Sequence, residues 1–147
     1  HKYPLTGAGY RPALEFAAAR RLMVLSHTWG SSAYDSPAHL AEVAARYPEV
    51  TFLAGHSGHG QFDECMDVAR QYPNVYLELT AAYAVRGLIE RMVERVGAHK
   101  ILFGYDLPWF DPHYAIGCVV MAHISEAARR AILRENALRL LAETRRV

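Results

Sequence analysis

Three residues carry the types and positions that metal chemistry needs: His27, His56 and Asp106. Each closely follows a short apolar run, Leu22 to Ser26, Val50 to Ala54, and Ile101 to Phe103 respectively. Runs of that length, apolar on both faces, read as strands buried in a parallel sheet. Residues just beyond such strands emerge together on one rim. Imidazole and carboxylate together suit Zn²⁺ and similar divalent ions, making His27, His56 and Asp106 candidate metal ligands. An ion held there would bring the pKa of water toward neutrality and polarise a substrate carbonyl. Asp106 could bind through one oxygen and take a proton with the other. Taken singly, each has a plainer reading. A strand-end histidine is commonly a hydrogen-bonded rim residue, and an aspartate there serves equally as a cap or turn former. The recurrence of the three at one point of successive units is what favours a shared site.

Other residues near that rim are candidates for substrate contact. His59 lies in Gly55-His56-Ser57-Gly58-His59-Gly60, and Trp29 and Trp109 follow strand ends closely. The two indoles would wall a pocket or pack beneath loops. Glu78 and Thr80 share one strand face, where Glu78 could hold a rim histidine from behind or make a structural ion pair. Arg86 reads as a solvated helix start or a carboxylate contact, and His1 as a rim residue. His39, His99, His113 and His123 read as surface or packing positions.

The elements that position these residues follow from hydrophobic period. Strands are expected from Leu22, Val50, Val75 and Ile101, a spacing of about 25–28 residues that fits βα units. Between them lie helical patterns. The first runs from about Pro12 to Arg20. The second begins at Ser36-Pro37, with Leu40, Val43, Ala44 and Tyr47 on one stripe, and ends at Pro48. The third carries Phe62, Cys65, Met66, Ala69 and Tyr72. The fourth, with Val85, Leu88, Ile89, Met92, Val93 and Val96, closes at Gly97. Asp111-Pro112 opens a further helix, Ser125 caps another, and Asn136 is expected to cap the last.

Alternation of this kind means a parallel sheet with helices outside it. The Gly55–Gly60 run matches neither the dinucleotide fingerprint nor the P-loop, which argues against a nucleotide-binding open sheet. A (β/α)₈ barrel is preferred. A whole barrel takes ~250 residues, so the expected fold is α/β, the C-terminal half of a TIM barrel. Residues 1–147 then form a partial domain lacking the N-terminal strands. The chain starts at His1 in loop-like sequence and reads as part of a longer protein.

Composition bounds the function classes. With 52% hydrophobic and 21% charged residues the chain is globular. A formal net charge of +1 offers no broad basic surface for nucleic acid. No run approaches the ~20 apolar residues of a membrane span, and no signal peptide is visible. Cys65 and Cys118 form no CxxC pair and suit a reducing, cytoplasmic setting.

The strings VLSHTWG, FLAGHSGHG, YPNVYLELT, ILFGYDLPW and ILRENALRLL, in this order, resemble the C-terminal half of the amidohydrolase superfamily. The resemblance is greatest to the amidohydrolase-related group that includes aminocarboxymuconate semialdehyde and hydroxybenzoate-type decarboxylases, and covers nearly the whole chain. It implies a metal-dependent (β/α)₈ barrel. His27 then matches the fifth-strand metal ligand. His56 matches the sixth-strand histidine that positions or activates the water in the decarboxylase-like members, a catalytic role, and binds metal in two-metal members. Asp106 matches the eighth-strand aspartate that binds metal and shuttles the proton. The family's first-strand HxH pair has no counterpart here, so the chain carries part of the site.

The expected function is a metal-dependent hydrolase acting on a small-molecule amide, ester or lactone. A nonoxidative decarboxylase, a carbon–carbon lyase of the same architecture, is the alternative. A third reading, from another class, is an inactive half-barrel or binding module. The expected cofactor is a divalent ion, Zn²⁺ foremost. The expected partner is a small molecule, and the outer helices allow a homodimer.

Overall fold

A computed structural model describes residues 2–144. Helices and strands alternate: α1 (Arg11–Ala19), β1 (Met23–Trp29), α2 (Pro37–Arg46), β2 (Thr51–His59), α3 (Phe62–Gln71), β3 (Val75–Glu78), α4 (Leu88–Val96) and β4 (Ile101–Leu102). Beyond them lie α5 (Pro112–Met121), α6 (Glu126–Arg130) and α7 (Asn136–Thr144). The four strands are all parallel and stand in the order β1-β2-β3-β4. A doubly wound sheet reverses its strand order at a switch point. Here each strand lies beside its chain neighbours, which is the order of a barrel.

Register divides the sheet into two faces. Ser26 pairs with Ala54, Ala54 with Leu77, and Leu77 with Ile101, and all four are buried. The core continues from this row into Leu40 and Val43 of α2, Met66 of α3 and Met92 of α4. The neighbouring rows, Leu25 with Leu53, His27 with Gly55, and Glu78 with Leu102, line a cleft on the other face. Leu25 is 65% exposed there. The outer face of a half-barrel is thus packed and its inner face open, as expected of four strands where a closed barrel has eight.

Several boundaries depart from the sequence pattern. β1 continues through His27 to Trp29, and β2 resumes pairing at His59 beyond an irregularity at His56. The expected helix start at Val85 moves to Leu88, because Gly87 takes a left-handed φ of 73° and breaks the turn. Asn136 caps nothing. Residues 126–144 form one continuous helical stretch with a π-type turn at Ala131–Glu135. The buried Asn136 amide donates to the carbonyls of Ala98 and Ile101, both at 2.8 Å, and ties this helix to β4. Ser125 and Asp111 cap as expected, accepting from the N–H groups of Ala128 and His113. No helix among the described residues is long and apolar enough to cross a membrane. Cys65 is buried, Cys118 is half-buried, and both are free thiols. The rim expectation for His1 lies outside the described residues.

Candidate functional site

Backbone that L-residues rarely adopt gathers at the C-terminal ends of the strands. Ser31 follows β1, His56 and Ser57 interrupt β2, Ala81 follows β3 and Asp106 follows β4, all with φ between 50° and 65°. Each such residue costs on the order of 1–3 kcal/mol, and such strain concentrates at functional sites.

The sharpest case is in β2. His27 of β1 pairs with Gly55, yet Trp29 pairs with His59, so His56, Ser57 and Gly58 stand opposite the single residue Thr28. The extra residues form a left-handed arc. Gly58 makes the arc possible: its φ is 70°, and a Cβ there would stand 2.7 Å from Cβ of Cys65. Ser57, fully buried, donates to the carbonyl of Glu78 at 2.7 Å and fixes the arc to β3. The arc carries His56 onto the cleft face beside His27.

The two imidazoles lie edge to face, their centroids 4.8 Å apart and their planes 70° apart. Each is held from behind. Nδ1 of His27 donates to Oδ2 of Asp35 at 2.5 Å, and Nδ1 of His56 donates to the carbonyl of Thr80 at 3.3 Å. Carboxylate and carbonyl accept only, so both rings carry a proton on Nδ1, and the neutral ring then presents the Nε2 lone pair to the cleft. Neither Nε2 has a hydrogen-bond partner among the described residues.

Glu78 organises the floor. Its Oε1 accepts from N–H of Thr80 at 3.0 Å and from Oγ1 of Thr80 at 2.5 Å, while Oε2 accepts from N–H of His56 at 3.2 Å. Gly104, beyond β4, leaves room for that carboxylate, since any Cβ would overlap Glu78 Oε1. Asp106 sits in the following turn, closed by N–H of Trp109 donating to its carbonyl at 2.8 Å.

A cleft of about 600 Å³ brings His27, His56, Glu78, Thr80 and Asp106 together. Leu25, Leu53 and Phe103 form apolar wall, as do Ala137, Leu140 and Leu141 of α7. Among the described residues no Lys or Arg lines it, and the exposed Arg86 stands apart. A second cleft of about 570 Å³ runs along β1 and shares Leu25 and His27 with the first.

The remaining candidates sort differently. Trp29 is wedged among the histidines, stacked on His59 at 4.2 Å and parallel to His27 at 5.7 Å, with His56 edge-on at 5.5 Å. It braces the rings and is absent from the wall of the larger cleft. His59 also packs against Phe62, and its buried Nδ1 has no partner among the described residues. Trp109 is 79% exposed and lies outside the cleft lining. Sequence reading passed over Asp35, Ser57, Gly104 and Tyr105. Asp35 precedes Ser36-Pro37 and so resembles part of a helix start, and nothing in the sequence links it to His27.

Donor chemistry fits one side of a cation site: two tethered imidazoles and a carboxylate share one cleft, with the outer hydrogen bonds that metal-binding histidines ordinarily have. Among the described residues, however, no three His, Cys, Asp or Glu side chains gather closely enough to hold an ion.

Residues 1–142 match the model of the family described as Amidohydrolase. The chain belongs to the amidohydrolase family. Its similarity to protein fluG of Emericella nidulans is 33% identity over 81 residues, covering 51% of this chain and 9% of that protein. Among solved structures, an uncharacterised TIM-barrel protein from Bordetella bronchiseptica superposes with a TM-score of 0.82 at 23% identity, covering 96% of this chain and 53% of its own. A dihydroxybenzoic acid decarboxylase from Polaromonas sp. JS666, with bound manganese and the inhibitor 2-nitroresorcinol, superposes at 0.70 with 18% identity, over 95% of this chain and 55% of its own. This amidohydrolase-family chain therefore has the fold of half a (β/α)₈ barrel, and it spans about half the length of these solved relatives.

Proposed function

We propose that this chain supplies one side of the active site of a metal-dependent hydrolase acting on a small neutral amide, ester or lactone. The observation that carries the reading is the His27–His56 pair, both rings anchored through Nδ1 with no partner for Nε2 among the described residues, on the cleft that Asp106 also lines. His27 and Asp106 would hold the ion, with His56 as ligand or as the group beside the attacking water. A divalent ion bound there would act as a Lewis acid toward a carbonyl oxygen. Asp106 would accept the proton of the attacking water and return it to the leaving group. His56, fixed by Thr80, would orient that water. The apolar wall would seat the substrate body and limit bulk water. Zn²⁺ suits this donor set, and the manganese bound in the decarboxylase relative supports a divalent ion more generally.

A second reading, nonoxidative decarboxylation, is favoured by that same relative. Against it, the cleft offers a substrate carboxylate no guanidinium or ammonium among the described residues.

The test uses the complete parent protein. Elemental analysis is expected to find a divalent metal, reduced in His27→Ala. Asp106→Asn keeps an oxygen ligand and loses the base, so turnover of an ester and lactone panel should fall by roughly 10²–10⁴, far more than metal content. Carbon dioxide release from aromatic carboxylic acids, without ester hydrolysis, would replace this reading by the second. Absence of both metal and turnover would favour a binding module.

A further inference from the structure

The least expected surface of the molecule is α5. A helix on the outside of a domain shows one apolar stripe and one polar face, and a helix apolar all round is buried all round. α5 carries two apolar stripes. Ala115 and Val119 face inward and are fully buried. Ile116, Gly117, Val120 and Met121, at i, i+1, i+4 and i+5, form a second stripe facing out, with Met121 78% exposed. Leu107, Trp109 and Tyr114 extend the exposed patch. From Pro112 to Ser125 the sequence holds no Asp, Glu, Lys or Arg.

The sheet's open edges do not account for this face. Those edges are β1 and β4. α5 is fastened on the other side of β4. Tyr83, following β3, stacks edge-on with Phe110 and Tyr114 at 6.1 and 5.9 Å, and N–H of His123 donates to Glu90 of α4 at 2.8 Å.

We infer that the outer stripe of α5, with Leu107 and Trp109, is the contact between two copies of this protein. Three observations select a second copy. The stripe lacks fixed charge, so identical surfaces meet without repulsion. Gly117 lies at its centre, and a Cβ there would meet nothing within 4 Å, so the backbone of a crossing helix can approach closely. A two-fold axis at Gly117 then sets Ile116, Val120 and Met121 against their own counterparts. The exposed apolar side chains of the patch amount to on the order of 800 Å², the share one partner gives to a stable interface.

The experiment is sedimentation velocity on the complete parent protein. Wild type is expected to be a dimer. Val120→Glu/Met121→Glu should weaken dimerisation about 30-fold or more, the effect of disabling central anchors, with unchanged far-ultraviolet circular dichroism. Gly117→Cys should form a disulfide-linked dimer on mild oxidation, which needs Cα atoms within about 7 Å. Phe16→Cys, exposed on α1, should not. A monomeric wild type, as when another segment of the parent or a different protein covers the stripe, would overturn the proposal. So would a dimer that survives the double substitution and leaves Gly117→Cys unlinked.

Discussion

His56 stands edge-on to His27 with the ring centroids 4.8 Å apart, although the two residues lie on different strands and belong to different backbone conformations. His27 sits in regular strand and pairs with Gly55. His56 reaches the same height only because the next residues of β2 turn left-handed. The juxtaposition thus depends on strain in one strand and regularity in the other.

His27 is oriented by a single acceptor, the carboxylate of Asp35. Removing such a partner from a metal-binding histidine ordinarily costs 10–100-fold in affinity. Asp35→Ala in the parent protein should therefore weaken divalent metal binding by roughly that factor. Asp35→Asn, which keeps an acceptor, should weaken it less. Competition with a chromogenic chelator checks both, and equal affinity in all three proteins would remove Asp35 from the site.

Glu78 is buried and accepts three hydrogen bonds from Thr80 and His56. In Glu78→Ala the two backbone N–H donors lose their acceptor inside the protein. Each orphaned group costs about 1–3 kcal/mol, so a loss of about 3 kcal/mol is expected, visible as a lower urea midpoint at constant slope. A change below about 0.5 kcal/mol, the scale of a neutral surface substitution, would show that the network is dispensable.

Lys100 provides a pH signature. Burial, and then the Arg139 guanidinium beside it, lower its ammonium from the ordinary 10.5 to about 8. Its Nζ donates to the carbonyls of Tyr72 and Pro73 at 3.1 and 2.8 Å. The folded value lies below the unfolded one. Below about pH 8 both states hold the proton, and the cost of burying charge is constant. Between about 8 and 10.5 the unfolded chain binds more protons, so this group's contribution to stability rises with pH. Unfolding free energies of wild type and Lys100→Met, measured at pH 7.5, 9 and 10, should diverge in that direction, wild type gaining. A constant difference would contradict the lowered value.

The half-barrel was legible in the sequence because apolar runs and helical stripes report burial directly. Leu88, Ile89 and Met92 are buried where their period placed them, and Ser125 caps where its type suggested. The family followed from the same ordered strings, and the match over residues 1–142 bears it out. Long-range pairing was not legible. Asn136 looked like a cap because an asparagine bonding locally and one bonding two carbonyls across the fold are identical in sequence. Asp35 carries no signal of its own, because an acid beside Ser36-Pro37 reads the same whether or not it holds a distant histidine. The left-handed arc of β2 was hidden too: Gly58 announced a bend, but a strand that bends and then resumes pairing at His59 reads like a strand that ends.

Gly104 gives the cleft an uneven tolerance to change. The carboxylate of Glu78 occupies the space where any side chain at position 104 would begin, whereas Leu107 and Trp109, a few residues on, point into open surroundings in this chain. Drift or directed evolution that reshapes the pocket is therefore locked at 104, and 107 and 109 lie outside the cleft lining. Any new specificity in this scaffold has to work around that one bare position.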